Sequence, residues 1–61
     1  SSDLFRQLYD LKLTMIRNGA SAVVLSGSGS SMMAFFRRAE LQEQASLILN
    51  QLSIPFYKYH F

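Results

Sequence analysis

The stretch "AVVLSGSGSSMMAFF", residues 22–36, sets two glycines and four serines between two apolar runs, in a chain with three glycines in all. Both runs are too short for helices, and the residues between them favour turns, so the pattern is that of a β-hairpin. Residues 21–25 and 32–36 therefore read as strands. Neither alternates cleanly between apolar and polar, which predicts burial on both faces. The joint admits two readings. One is a mobile hairpin tip. The other is a loop whose backbone lies against a ligand, where glycines let N–H groups turn toward an anion and serine hydroxyls add donors. It is not a Walker A loop, because no Gly-Lys-Ser/Thr follows. Nor is it a Rossmann fingerprint, because the next element is a strand.

Upstream, from Asp3 to Asn18, Leu4, Leu8, Leu11 and Met15 recur at helical spacing, widened by Phe5 and Ile16. This is an amphipathic helix with one buried stripe. Arg6 and Asp10 are spaced to pair on its outer side. Asn18-Gly19 ends it, since glycine accepts the left-handed conformation of a C-terminal cap. Downstream, Leu41, Ala45, Ile48 and Leu52 mark a second helix from Ala39 to Leu52, with Glu40 and Glu43 near its positive end. Ser53-Ile54-Pro55 stops that helix. The tail "FYKYHF", residues 56–61, is rich in aromatic β-formers and reads as a last strand with Pro55 at its start.

The order helix-strand-strand-helix-strand is an α+β arrangement. It is a partial ferredoxin-like split βαβ, β-α-β-β-α-β without its first strand. In the full arrangement the strands lie 4-1-3-2, so the absent strand is central, between the tail and Met32–Phe36. Residues 1–61 are thus expected to form one incomplete domain. The isolated segment should be completed by another part of its parent, pair its strands with a second copy, or keep its tail partly disordered.

Composition agrees with a need for support. A chain of 61 residues buries only about 60% of its unfolded surface and usually leans on a disulfide, a metal or a partner. There is no cysteine and a single histidine, which excludes disulfides and argues against a zinc site. The net charge is +2, and Arg37-Arg38 is the one adjacent basic pair. That argues against nucleic acid and against a membrane surface. No apolar run approaches the ~20 residues of a membrane span, and no signal-peptide pattern opens the chain. The expected location is the cytoplasm. The start at Ser1-Ser2, without methionine, suggests a processed or cloned piece.

Gly19-Ala20, Ala22–Leu25, Ser26-Gly27-Ser28-Gly29 and Phe35-Phe36, in that order, resemble the third conserved motif of the GHMP kinases. Within that family the likeness is greatest to the subfamily acting on 4-diphosphocytidyl-2-C-methylerythritol in isoprenoid biosynthesis. The flanking helices and tail extend the resemblance over nearly the whole chain. Relatives often carry Pro-Thr or Ser-Thr where this chain has Ser30-Ser31, and Val-Phe near Met32-Met33-Ala34. The resemblance implies a C-terminal segment of an ATP- and Mg²⁺-dependent small-molecule kinase. Its third motif lies at the active-site cleft, bordering the phosphoryl acceptor. Carried over, Gly27, Ser28, Gly29 and Ser30 are the ATP- and substrate-proximal candidates, flanked by Ser26 and Ser31. The family's catalytic lysine and aspartate and its phosphate loop belong to an N-terminal domain, the implied partner, and are not in this sequence. These residues alone are therefore expected to be inactive.

The rival reading is a free-standing ferredoxin-like module docking a protein or RNA. Tyr57, Tyr59 and Phe61 would then stack on bases, although core packing on strand faces is the plainer role. His60 has no partner motif for acid–base work. Met15, Met32 and Met33 read as core filler, Asp3, Asp10, Glu40 and Glu43 as solvated carboxylates, and Arg37 and Arg38 as surface charges.

Overall fold

A computed structural model describes residues 2–27 and 31–60. Four elements follow in order: α1 Ser2–Arg17, β1 Ala22–Leu25, β2 Met32–Phe35 and α2 Ala39–Gln51. These are the two helices and the hairpin that periodicity predicts, and the α+β class stands.

Both helices end in the same way, for different reasons. At the end of α1, Gly19 has φ 103°. Its N–H donates to the Ile16 carbonyl at 3.2 Å and that of Ala20 to Met15 at 3.0 Å. This is a Schellman motif, which satisfies carbonyls the helix leaves open. The Asn18 side-chain amide adds a bond to the Thr14 carbonyl at 2.8 Å. At the end of α2 the left-handed position is Ser53, φ 58°. The Ser53 N–H donates to Asn50 at 3.1 Å and the Ile54 N–H to Leu49 at 2.9 Å.

The strands form a two-stranded antiparallel sheet in which Ala22 faces Phe35, Val23 faces Ala34, Val24 faces Met33 and Leu25 faces Met32. α1 packs against both strands. The face carrying Val23, Leu25, Met32 and Ala34 is half-buried. Val24 and Met33, paired on the other face, are 55% and 59% exposed. The expectation of burial on both faces is thus corrected: α1 covers one side only. The core is small and holds Met15, Ala45 and the polar Ser46. Ser46 satisfies its hydroxyl by donating to the Glu43 carbonyl at 2.7 Å.

The tail is the second correction. Residues 54–60 form no strand. They run back along α2, where Lys58 Nζ meets both Glu43 carboxylate oxygens at 3.1 Å. Gln42 Nε2 donates to the Tyr59 carbonyl at 3.2 Å. Among the described residues the tail joins no sheet. A groove of about 320 Å³ runs between Ala34–Phe36 and Tyr59–His60. A strand requires a hydrogen-bonding neighbour about 4.8 Å away, and across this groove the aromatic tail has none. Phe61 lies outside the described residues.

Candidate functional site

The hairpin tip is built by its closing serines. The Ser26 N–H donates to the Ser31 carbonyl at 2.9 Å, and the Ser31 N–H donates to the Ser26 hydroxyl at 3.2 Å. One half of the closing pair is therefore backbone and the other half side chain, so the tip is joined to β1 through a serine oxygen. Gly27 follows, exposed, with φ outside the left-handed region. A Cβ built there would meet nothing within 4 Å. Glycine tolerates the left-handed region, but Gly27 does not use that freedom. What glycine provides at position 27 is an uncovered backbone open to an approaching group. The structure brings Ser26, Gly27 and Ser31 together, while Ser28, Gly29 and Ser30 lie outside the described residues.

The far end of the hairpin is anchored by a second irregularity. The Ser21 N–H donates to the Phe35 carbonyl at 2.8 Å, although Phe35 is already opposite Ala22. Two residues facing one make a β-bulge, which pins the register of the pair. The Ser21 hydroxyl reinforces it at 3.2 Å.

Charged groups lie elsewhere. Arg38 pairs with Glu40 at 3.3 Å in an exposed contact at the start of α2. Lys58 pairs with Glu43. The Lys58 ammonium, by hydrogen bond and by charge, holds the Glu43 carboxyl below the usual carboxylate range, opposed in part by desolvation and helped slightly further by the Ser46 hydroxyl. The expected Arg6–Asp10 pair is not among the ion pairs of the described residues. His60 is exposed on the groove wall. No three His, Cys, Asp or Glu side chains among the described residues gather as a metal would require. None of their helices is long and apolar enough to cross a membrane. What this arrangement can do chemically is position: among the described residues, the hairpin sets the exposed Gly27 backbone beside the bonds that join Ser26 and Ser31. The groove is lined from β2 and from the tail, the two segments between which the sequence expects an absent strand.

Comparison with known proteins places this geometry. The family described as GHMP kinases C terminal matches residues 2–58. A 4-diphosphocytidyl-2-C-methyl-D-erythritol kinase of Nitratidesulfovibrio vulgaris is 42% identical over 53 residues, covering 87% of this chain and 18% of that protein. Its namesake from Oleidesulfovibrio alaskensis is also 42% identical over 53 residues, covering 87% and 16%. The one from Desulfotalea psychrophila is 36% identical over 55 residues, covering 90% and 18%. No solved structure matches. The chain spans less than a fifth of these curated relatives' length. With helix, hairpin, serine-glycine tip and second helix in the matched order, this chain belongs to the GHMP kinase family, as part of its C-terminal region.

Proposed function

We propose that this segment is the C-terminal part of a kinase that transfers the ATP γ-phosphoryl group to a hydroxyl of 4-diphosphocytidyl-2-C-methylerythritol. Residues 26–31 are its contribution to the cleft. The observation that carries the reading is the 42% identity to kinases bearing that name over 87% of the chain. The geometry supports it through the uncovered backbone at Gly27 and the serine pair that closes the loop.

Phosphoryl transfer depends on placing the acceptor and stabilising charge on the transferred group, with little covalent work for the protein. N–H and hydroxyl donors at a hairpin tip suit that task. Ser26 and Ser31 hold the loop mouth in shape, and Gly27 keeps it open to a charged group. When bound, Mg²⁺ would neutralise charge on the nucleotide phosphates. Its ligands would come from the rest of the parent chain, as the family resemblance implies. The N-terminal domain would likewise supply the catalytic side chains.

The test is Gly27→Val and Gly29→Val in the intact parent, assayed by ADP release with this acceptor. Because a Cβ at position 27 meets open space, Gly27→Val should change stability by less than about 1 kcal/mol. Phosphoryl transfer should fall about a hundredfold, the effect of misplacing a reacting group by an ångström or so. Unchanged turnover in both variants would remove the loop from the cleft, and an intact parent inactive on this acceptor would remove the substrate.

A further inference from the structure

We propose that Asn18-Gly19, at the end of α1, is a site of spontaneous deamidation that the folded cap holds shut and that local opening of the cap exposes. The loss is one-way, so the site limits how long the domain survives repeated fraying of α1. The chemistry involves no phosphoryl group and stands apart from the kinase reading.

The reaction needs only the chain and water. The backbone nitrogen of Gly19 loses its proton to water or base and attacks Cγ, the side-chain carbonyl carbon of Asn18. A bond forms between that nitrogen and Cγ, the bond from Cγ to Nδ2 breaks, and Nδ2 leaves as ammonia with a proton from water. Water then opens the cyclic succinimide at either carbonyl, giving aspartate or an isoaspartyl link. Glycine leaves the attacking nitrogen unhindered by a neighbouring side chain. Of the two asparagines in the chain, Asn18 precedes a glycine and Asn50 precedes Gln51.

The fold occupies both reacting groups. The Gly19 N–H donates to the Ile16 carbonyl at 3.2 Å, which keeps its proton in place. Asn18 Nδ2 donates to the Thr14 carbonyl at 2.8 Å, so the side chain is turned back along α1. Both residues are half-buried. A Cβ built at Gly19 would stand 3.0 Å from a Leu41 methyl, so Leu41 closes over the cap from α2. The same contacts reject the products. An aspartate at position 18 loses the donor to Thr14 and sets a negative charge at the negative end of the helix dipole. An isoaspartyl link adds a methylene carbon to the main chain between residues 18 and 19. That insertion falls just ahead of the Ala20–Met15 bond and of the Ser21 bonds to Phe35, which join α1 to the sheet.

Peptide mapping by mass spectrometry tests this on the intact parent, incubated at mildly alkaline pH in buffer and in urea. In urea Asn18 should convert to aspartate and isoaspartate well ahead of Asn50. In buffer its conversion should be slower by about tenfold or more, the fraction of time the cap spends open. Equal rates in buffer and urea would overturn the gating, and an Asn18 that outlasts Asn50 in urea would overturn the site. Leu41→Ala uncovers the cap without touching the reacting pair. It should speed conversion in buffer at least about threefold and leave the rate in urea unchanged. An unchanged rate in buffer would remove Leu41 and the cap as the gate. If that variant fails to fold, the wild-type comparison still decides. Asn18→Asp, which installs one product directly, should raise the unfolding equilibrium constant of the parent about tenfold. An unchanged constant would show that the cap accepts the product, and the one-way loss would fall.

Discussion

Gly19 and Ser53 occupy equivalent positions, yet only one is glycine. Both sit at positive φ and both close a Schellman motif. A side chain at such a position costs about 1–2 kcal/mol, because its Cβ crowds the following carbonyl oxygen. Ser53→Gly should therefore stabilise the intact parent by about 0.5–1 kcal/mol, after allowance for the extra freedom glycine gives the unfolded chain. Urea unfolding measures it, and a destabilised variant would show that the serine side chain has a compensating role. Gly19→Ala should act the other way. Its Cβ would stand 3.0 Å from a Leu41 methyl at a φ that disfavours it, with a loss of about 1–3 kcal/mol. A neutral result would mean that Leu41 gives way and the backbone relaxes.

The tail is held to α2 by a few polar contacts, of which the Lys58–Glu43 pair is the charged one. Because the folded Glu43 carboxyl titrates below its ordinary value, the unfolded chain takes up its proton first as pH falls. The pair's contribution is therefore full above the ordinary carboxylate pKa and is lost as pH falls through the lowered folded value. The contact is exposed, so salt should weaken it as well. Exchange of the tail amides in the intact parent should quicken as pH drops through that range, relative to their intrinsic rates, and Glu43→Gln should remove the step. A step that persists in Glu43→Gln would assign the titration to another group.

At the level of the whole molecule the imbalance is between apolar sequence and the core it builds. Nearly half the residues are hydrophobic, yet Phe5, Val24, Met33 and Tyr59 are among the large apolar side chains left exposed. A domain of this size has only a few kcal/mol in hand, and among the described residues the sheet has two strands alone. The isolated 61 residues should fail to hold a compact monomer with a protected β2 edge. Size-exclusion chromatography should show self-association or an expanded chain, and a compact monomer with well-protected strand amides would contradict the absence of a central strand.

Local rules made the two helices, the Gly19 cap, the hairpin and the serine-glycine tip legible in the sequence. Each rests on periodicity or turn chemistry within a few residues, and the motif order carried the family with it. The candidate site was legible as residue types, and its role rests on the parent. Other features needed the tertiary structure. The apolar runs 21–25 and 32–36 read as buried on both faces because periodicity reports apolarity, whereas only packing decides which face meets a helix. Ser53 carried no signal, since its left-handed turn is imposed by the end of α2. The aromatic tail has strand composition, but a strand is a property of two backbones. Sequence determined that residues 56–61 favour such a pairing, and the fold decided that β2 is not the neighbour that satisfies it.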